Sequence, residues 1–211
     1  TLFARAKRVK DLKAQCIALY LKFNHYHAVG DTLRQKVEFK KLSSFVRKTP
    51  YKQYYFQAWY YIITSYINSL QYRLASDELE KFRVEAFRYD NSFGITKSYI
   101  AEGDILFRQS NFRLALPLYR RALDYAVQHK EKDLFSLYLQ IGRCCNFLQR
   151  KTEAIEALNK SAEYAWEPPL KSTPVCLLLT LYCKADTLQP QIIDSLYKEA
   201  VYIKTHYNLY G

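Results

Sequence analysis

Gly103 and Gly142 stand in the same frame of surrounding residues, and that shared register limits the fold more than any other feature of the chain. Ala115, Tyr119 and Ala122 follow Gly103 by 12, 16 and 19 residues, and Ala154, Leu158 and Ser161 follow Gly142 by the same intervals. Tyr99 and Leu106 flank the first glycine as Tyr138 and Cys145 flank the second. Antiparallel helices that cross at about 8–10 Å leave no room for bulk at the crossing point, so small residues recur there and larger ones fill the space around them. The intervals predict two copies of a helical hairpin. The phrase "YRLA" at Tyr72 to Ala75, set against "FRLA" at Phe112 to Ala115, marks an earlier copy that runs on through Leu79 and Phe82. Tyr66 belongs to its first helix, and Ile63 occupies its glycine position, which predicts a wider crossing.

Composition agrees with helix. The chain has only five glycines and six prolines in 211 residues, without the Asn-Gly or Asp-Gly pairs that build tight β-hairpins. At 49% hydrophobic and 16% aromatic it is too apolar for a disordered protein. No run approaches the 18 or so apolar residues of a membrane span, and no secretory signal is read at the N-terminus. A first residue of Thr and the lack of Met suggest a piece of something longer.

The outer segments read as further pairs. In "LKAQCIALYLKF", Leu12, Cys16, Leu19, Tyr20 and Phe23 share one helical face, and "VGDT" supplies a stop and a new N-cap before "LRQKVEFKKLSSFV". Downstream, "EPPLKSTP" is read as a break, followed by "PVCLLLTLYCKA" and "PQIIDSLYKEAVYIKTHY" as a fifth pair opened by prolines. About ten helices result, in one domain over residues 1–211 with units near 1–49, 51–90, 93–129, 131–167 and 172–208.

The stretch "YIAEGDILFRQSNFRLALPLYRRAL" resembles the tetratricopeptide repeat, which places an aromatic, Leu-Gly and Tyr in its first helix and Ala, an aromatic and Ala in its second. Glu102 stands where Leu is usual, no Pro closes the units, and the spacing is 39 residues. The extra residues are assigned to "VQHKEKD" as a longer helix or connection. The resemblance covers residues 95–166 most fully and 53–90 in part. It implies an all-α solenoid of about five antiparallel hairpins, a right-handed superhelix whose first helices line a groove. A softer resemblance, in the "GDT" turn and the long repeat, is to such regions of Bacteroidetes-type sensor and regulatory proteins, which would make the chain an input domain of a signalling or transcription regulator.

Carried residue by residue, the resemblance places Gln57, Tyr60, Thr64 and Ile67 on the groove in the second unit. The third unit contributes Lys97, Ile100, Asp104, Phe107 and Arg108, and the fourth Leu139, Arg143, Asn146 and Phe147. Within "YKQYYFQAWYYIITSYINSLQY", Phe56, Trp59, Ile63 and Tyr66 are expected inside, and Tyr60, Thr64 and Ile67 on the other face. The Lys/Asn set with which some relatives clamp a C-terminal carboxylate is not reproduced.

Catalytic and cofactor chemistry lacks its residues. The chain contains no HExxH, no G-x-x-x-x-G-K-[ST], no G-x-G-x-x-G and no G-x-S-x-G. His25 and His27 diverge by about 200° on a helix, so they are read as solvent positions and not as a metal pair. The five cysteines, Cys16, Cys144, Cys145, Cys176 and Cys183, have no metal spacing and are read as small buried hydrophobes. No enzyme, cofactor or metal is predicted. The partner expected is a protein or peptide, and the compartment stays open between cytoplasm and periplasm. Nucleic acid is the alternative partner, because residues 1–52 hold 13 Lys/Arg against 3 Asp/Glu and so carry most of the net charge of +12.

Overall fold

The computed structural model describes residues 2–131, 133–184 and 189–207. Eleven α-helices, and no strand, are present among them. In chain order they are α1 (Leu2–Arg8), α2 (Leu12–Ala28), α3 (Thr32–Val46), α4 (Gln53–Asn68), α5 (Tyr72–Arg88) and α6 (Ser92–Arg108). The remaining five are α7 (Phe112–Gln128), α8 (Phe135–Phe147), α9 (Lys151–Tyr164), α10 (Pro168–Cys183) and α11 (Pro190–Tyr207). The chain falls into two compact units, one up to Ala101 and one from Glu102, with the division inside α6.

One turn is used again and again. Lys10, Gly30, Leu70, Asp90, Ser110, Lys130 and Gln149 each have positive φ, between 46° and 72°, and each stands two residues past the end of a helix. The next amide closes the helix by reaching back to a carbonyl of its last turn: Gln71 to Tyr66 at 2.8 Å, Asn111 to Leu106 at 2.8 Å and Arg150 to Cys145 at 2.8 Å are three of the seven. This is the Schellman closure, which satisfies carbonyls that the ending helix would otherwise orphan. Only Gly30 adopts the left-handed conformation without steric cost. The new helix then starts at once, except after Lys130, where α8 begins only at Phe135. Asp11 and Asp31 accept from the amides of Ala14 and Arg34, both at 2.9 Å, as N-caps of α2 and α3. Sequence analysis identified this turn only at "VGDT", because the other six lack glycine.

In the first unit the core is aromatic. Phe23, Phe56 and Phe82 are fully buried, and Phe82 meets Phe56 at 5.5 Å and Trp59 at 5.6 Å between centroids, both edge to face. Such pairs contribute about 0.5–1.5 kcal/mol beyond the area they bury. The indole N–H of Trp59 donates to Glu78 at 2.9 Å, tying α4 to α5. Just past α3, Arg47 donates to Tyr55 at 2.7 Å and to Glu85 at 2.5 Å, and the Tyr55 hydroxyl donates to Glu85 at 2.9 Å. Phe56, Trp59 and Ile63 are buried as expected.

The glycines are notches. A Cβ placed on Gly103 would lie 2.8 Å from the Tyr119 ring, and one on Gly142 would lie 2.7 Å from the Leu158 side chain. The small residue of the first helix thus receives the bulky residue sixteen positions on, while Ala115, Ala122 and Ala154 sit fully buried beside it. At Gly142 the backbone is close as well, the added atom lying 3.4 Å from the Ala154 carbonyl. Gly94 forms a third notch, against Ala86 of α5 and Phe56 of α4.

Three expectations are revised, on helix number, prolines and cysteines. The helices number eleven among those described, because Leu2–Arg8 forms a short helix of its own. Pro168 and Pro169 do not break the chain but open α10, since proline without an N–H costs no hydrogen bond in a first turn, whereas Pro174 lies inside the helix and forgoes one. Residues between α7 and α8 form a connection, and Lys132 lies outside the described residues. Cys176 and Cys183 are exposed, whereas Cys16, Cys144 and Cys145 are buried. Burial pushes the Cys144 thiol up to about 12, with Cys145 beside it adding to the effect, and burial raises Cys145 as well, so both are held toward the neutral thiol.

Gly103→Leu forces bulk onto the Tyr119 ring and is expected to destabilise the protein by about 1–3 kcal/mol or more in denaturant titrations. The opposite sign is expected at a turn: Leu70→Gly relieves a left-handed side chain and should raise stability by about 1 kcal/mol.

Candidate functional site

The expected groove residues lie on α4, α6 and α8, and the structure gathers them into two clusters, one in each unit. In the first unit the Lys97 ammonium lies 5.5 Å from the centres of both the Tyr60 and Phe93 rings. Phe93 precedes Lys97 by one turn of α6, so the cation is held between a ring on its own helix and one on α4. Contacts of this kind contribute about 0.5–1 kcal/mol at exposed sites. Gln57 and Thr64 are half-buried, and the Thr64 hydroxyl donates to the Tyr61 carbonyl at 3.0 Å. Ile67 and Ile100, expected on the open face, are buried and are withdrawn as anchors.

The second unit holds the more pronounced site. The Arg143 guanidinium lies 4.7 Å over the Phe107 ring, and Phe107 meets Phe147 at 5.6 Å. Phe112, which sequence analysis missed, stacks on Phe147 at 4.3 Å with the rings within 5° of parallel and touches Phe107 at 5.1 Å edge to face. Three rings and a cation therefore join the end of α6, the start of α7 and the end of α8. The Schellman turn at Ser110 reverses the chain tightly enough to set Phe112 beside Phe107. Phe147 is 53% exposed, an unusual position for a side chain of its size. Arg143 gives one N–H to Gln140 at 3.2 Å out of the five a guanidinium carries.

Other expected members are less open. Asp104 accepts from the buried Tyr119 hydroxyl at 2.7 Å, so its carboxylate serves the hairpin crossing. Leu139 and Asn146 are half-buried and Arg108 is exposed. His27, expected in solvent, is half-buried: it stacks on Phe23 at 6.1 Å and on Tyr61 at 5.4 Å and shares a 3.0 Å hydrogen bond with Gln35. No group of three or more His, Cys, Asp or Glu side chains is placed to hold a metal among the described residues. None of the described helices is long and apolar enough to cross a membrane.

Charge collects at Glu38 of α3, a buried carboxylate that takes Lys22 and Lys41 on one oxygen, both at 2.9 Å. Burial alone would raise its pKa, but the hydrogen bonds and charges of the two ammonium groups outweigh it and hold the carboxyl below its ordinary 4.5.

Similarity to known proteins lies in the fold. No family model matches the chain, and no curated protein matches it. The crystal structure of BtubC (BKLC) from P. vanneervenii matches 100% of this chain and 89% of its own, with a TM-score of 0.76 at 12% identity. The nearly identical TPR-like repeats of a protein described as a kinesin light chain from Podosopora anserina match 90% of this chain and 95% of their own, with a TM-score of 0.60 at 12% identity. The chain has the all-α fold of a TPR-like helical-repeat solenoid.

A pH dependence follows from Glu38. A carboxyl held below its ordinary value stabilises the fold fully above pH 4.5, and that contribution is lost as the pH falls through its folded-state value. Thermal melts below pH 4.5 should therefore decline less steeply in Glu38→Gln than in the unaltered protein.

Proposed function

We propose that this protein is a non-catalytic scaffold that captures a peptide or helix of a partner protein on the platform where α6, α7 and α8 meet. The observation that carries this is the cluster of Phe107, Phe112 and Phe147 with Arg143 over it, an apolar platform with a cation at its edge. Interfaces concentrate their energy in a few aromatic and arginine residues, often about 2 kcal/mol or more each. The platform fits a guest that offers an apolar side chain to the rings and a carboxylate to Arg143. Tyr60 and Lys97 repeat the same chemistry in the other unit. Gln57, Thr64, Leu139, Asn146 and Arg108 are the polar and apolar surroundings of the two clusters. As to setting, the "GDT" turn and long repeat favour a sensory or regulatory region of a larger bacterial signalling or transcription regulator.

A second reading has its own support. Arg5, Lys7, Arg8, Lys10 and Lys13 are all exposed at the start of the chain, a surface suited to nucleic-acid phosphates. Oligonucleotide binding that falls by about one log unit per log of salt for each phosphate contacted would favour it.

Peptides selected from a displayed library on the unaltered protein should bind Phe107→Ala/Arg143→Ala at least about a hundredfold more weakly. Circular dichroism should change little and the melting temperature should fall only modestly, because both side chains are half-buried and lie outside the Gly103–Tyr119 notch. Retention of the selected peptides by the double variant would remove the platform from the function.

A further inference from the structure

The outer face of α3 mixes aliphatic side chains with unpaired cations. At about 100° per residue, Leu33, Lys36, Val37, Lys40 and Ser44 share an arc of about 100°, opposite the buried Gln35, Glu38, Leu42 and Val46. All five are exposed, Leu33 at 78% and Val37 at 52%. The ammonium groups of Lys36 and Lys40 have no ion-pair or ring partner among the described residues, and the same holds for Lys48 just past the helix. Residues 33–48 hold six Lys/Arg and one carboxylate. That carboxylate, Glu38, lies on the other side of the helix, in the wall of a cavity of about 520 Å³ lined by α1, α2 and α3, where Lys22 and Lys41 both pair with it. The outer stripe is positive and has no acid of its own.

The repeat does not require this pattern. Tyr72 opens α5 forty residues after Thr32 opens α3, and α5 buries Ala75, Phe82 and Ala86 where α3 buries Gln35, Leu42 and Val46. The outer positions of α5 that match Val37 and Lys40 are Asp77 and Glu80, both exposed. Counted from their first residues, the same stripe holds Asp124 in α7 and Glu156 and Glu163 in α9. Only α3 among these four helices replaces carboxylates with aliphatic side chains and lysines. A single exposed aliphatic is ordinary, but two on successive turns with cations between them suit an anionic lipid surface. Its headgroups take the ammonium groups, and the boundary with the acyl chains takes the aliphatic side chains. Nucleic acid would engage the lysines but offers no apolar medium to Leu33 and Val37, and the stripe has no ring on which a base could stack. We propose that the outer face of α3 docks this protein on an anionic membrane surface. The helix lies parallel to that surface, Leu33 and Val37 enter the headgroup region, and Lys36 and Lys40 meet lipid phosphates and carboxylates. None of these residues belongs to the aromatic platform, and the contact does not depend on it.

The experiment sediments the intact 211-residue chain with vesicles of equal parts phosphatidylcholine and phosphatidylserine, and with vesicles of phosphatidylcholine alone. Binding is expected to the first and to be about tenfold or more weaker to the second. Lys36→Glu/Lys40→Glu and Leu33→Ser/Val37→Ser should each weaken it by about tenfold or more. Lys151→Glu/Lys184→Glu makes the same change in net charge in the second unit, and it should bind the vesicles as the unaltered protein does. So should Phe107→Ala/Arg143→Ala, which separates failure of this face from failure of the platform. Circular dichroism checks the helices, and Lys36→Gln/Lys40→Gln carries the test if the glutamates disturb them. An oligouridylate RNA serves as competitor. The proposal is overturned if the phosphatidylserine vesicles do not bind, if phosphatidylcholine alone binds as well, or if either α3 variant binds undiminished. Equal loss in Lys151→Glu/Lys184→Glu would overturn it too, by showing that net charge alone is read. RNA that displaces the vesicles, and whose own binding survives Leu33→Ser/Val37→Ser, would assign the face to nucleic acid instead.

Discussion

A bulky side chain seated in a notch left by glycine is the contact on which each central hairpin depends. Tyr119 fills the notch at Gly103 and Leu158 the one at Gly142, so two helices lock in one register where a pair of smooth cylinders could slide. Interiors packed to crystal density tolerate neither an empty notch nor an overfilled one. Ala115, Ala122 and Ala154 then set the separation, and the aspartate at 104 uses its carboxylate to fix the Tyr119 hydroxyl. What is left of the first-helix face can carry residues that the hairpin itself does not need.

The turns complete this economy. Seven of them share one backbone closure, and six do so with side chains that the left-handed conformation disfavours. The protein tolerates the strain because tertiary packing fixes each helix end more firmly than local preference opposes it. Tightness also has a consequence for the surface: reversing the chain within a few residues brings Phe107 and Phe112 into contact, and the neighbouring helix adds Phe147. The aromatic platform is thus a by-product of the turn geometry as much as of the helices.

The two candidate surfaces differ in chemistry. The platform in the second unit offers flat rings beside a guanidinium, whereas the outer face of α3 in the first unit offers two aliphatic side chains among unpaired lysines. Aromatic stacking suits a peptide with one dominant anchor, whereas aliphatic side chains spaced among cations suit a charged headgroup layer over an apolar interior.

The sequence by itself determined the helices and their pairing. Small residues at fixed intervals can be explained only by repeated helix crossings, and the shortage of glycine and proline removed the alternatives. It also named Phe107, Arg143 and Phe147 from their places in the repeat. Only the tertiary structure decided that Tyr119 and Leu158 enter the glycine notches, that Phe112 joins the platform, that Ile67 and Ile100 turn inward, and that His27 lies between rings. Periodicity reports which face of a helix a residue occupies, but depth of burial is set by the neighbouring helices that cover that face. The cavity at Glu38 was illegible for the same reason: its lining comes from three helices that meet only in the packed structure, which no single stretch of sequence encodes.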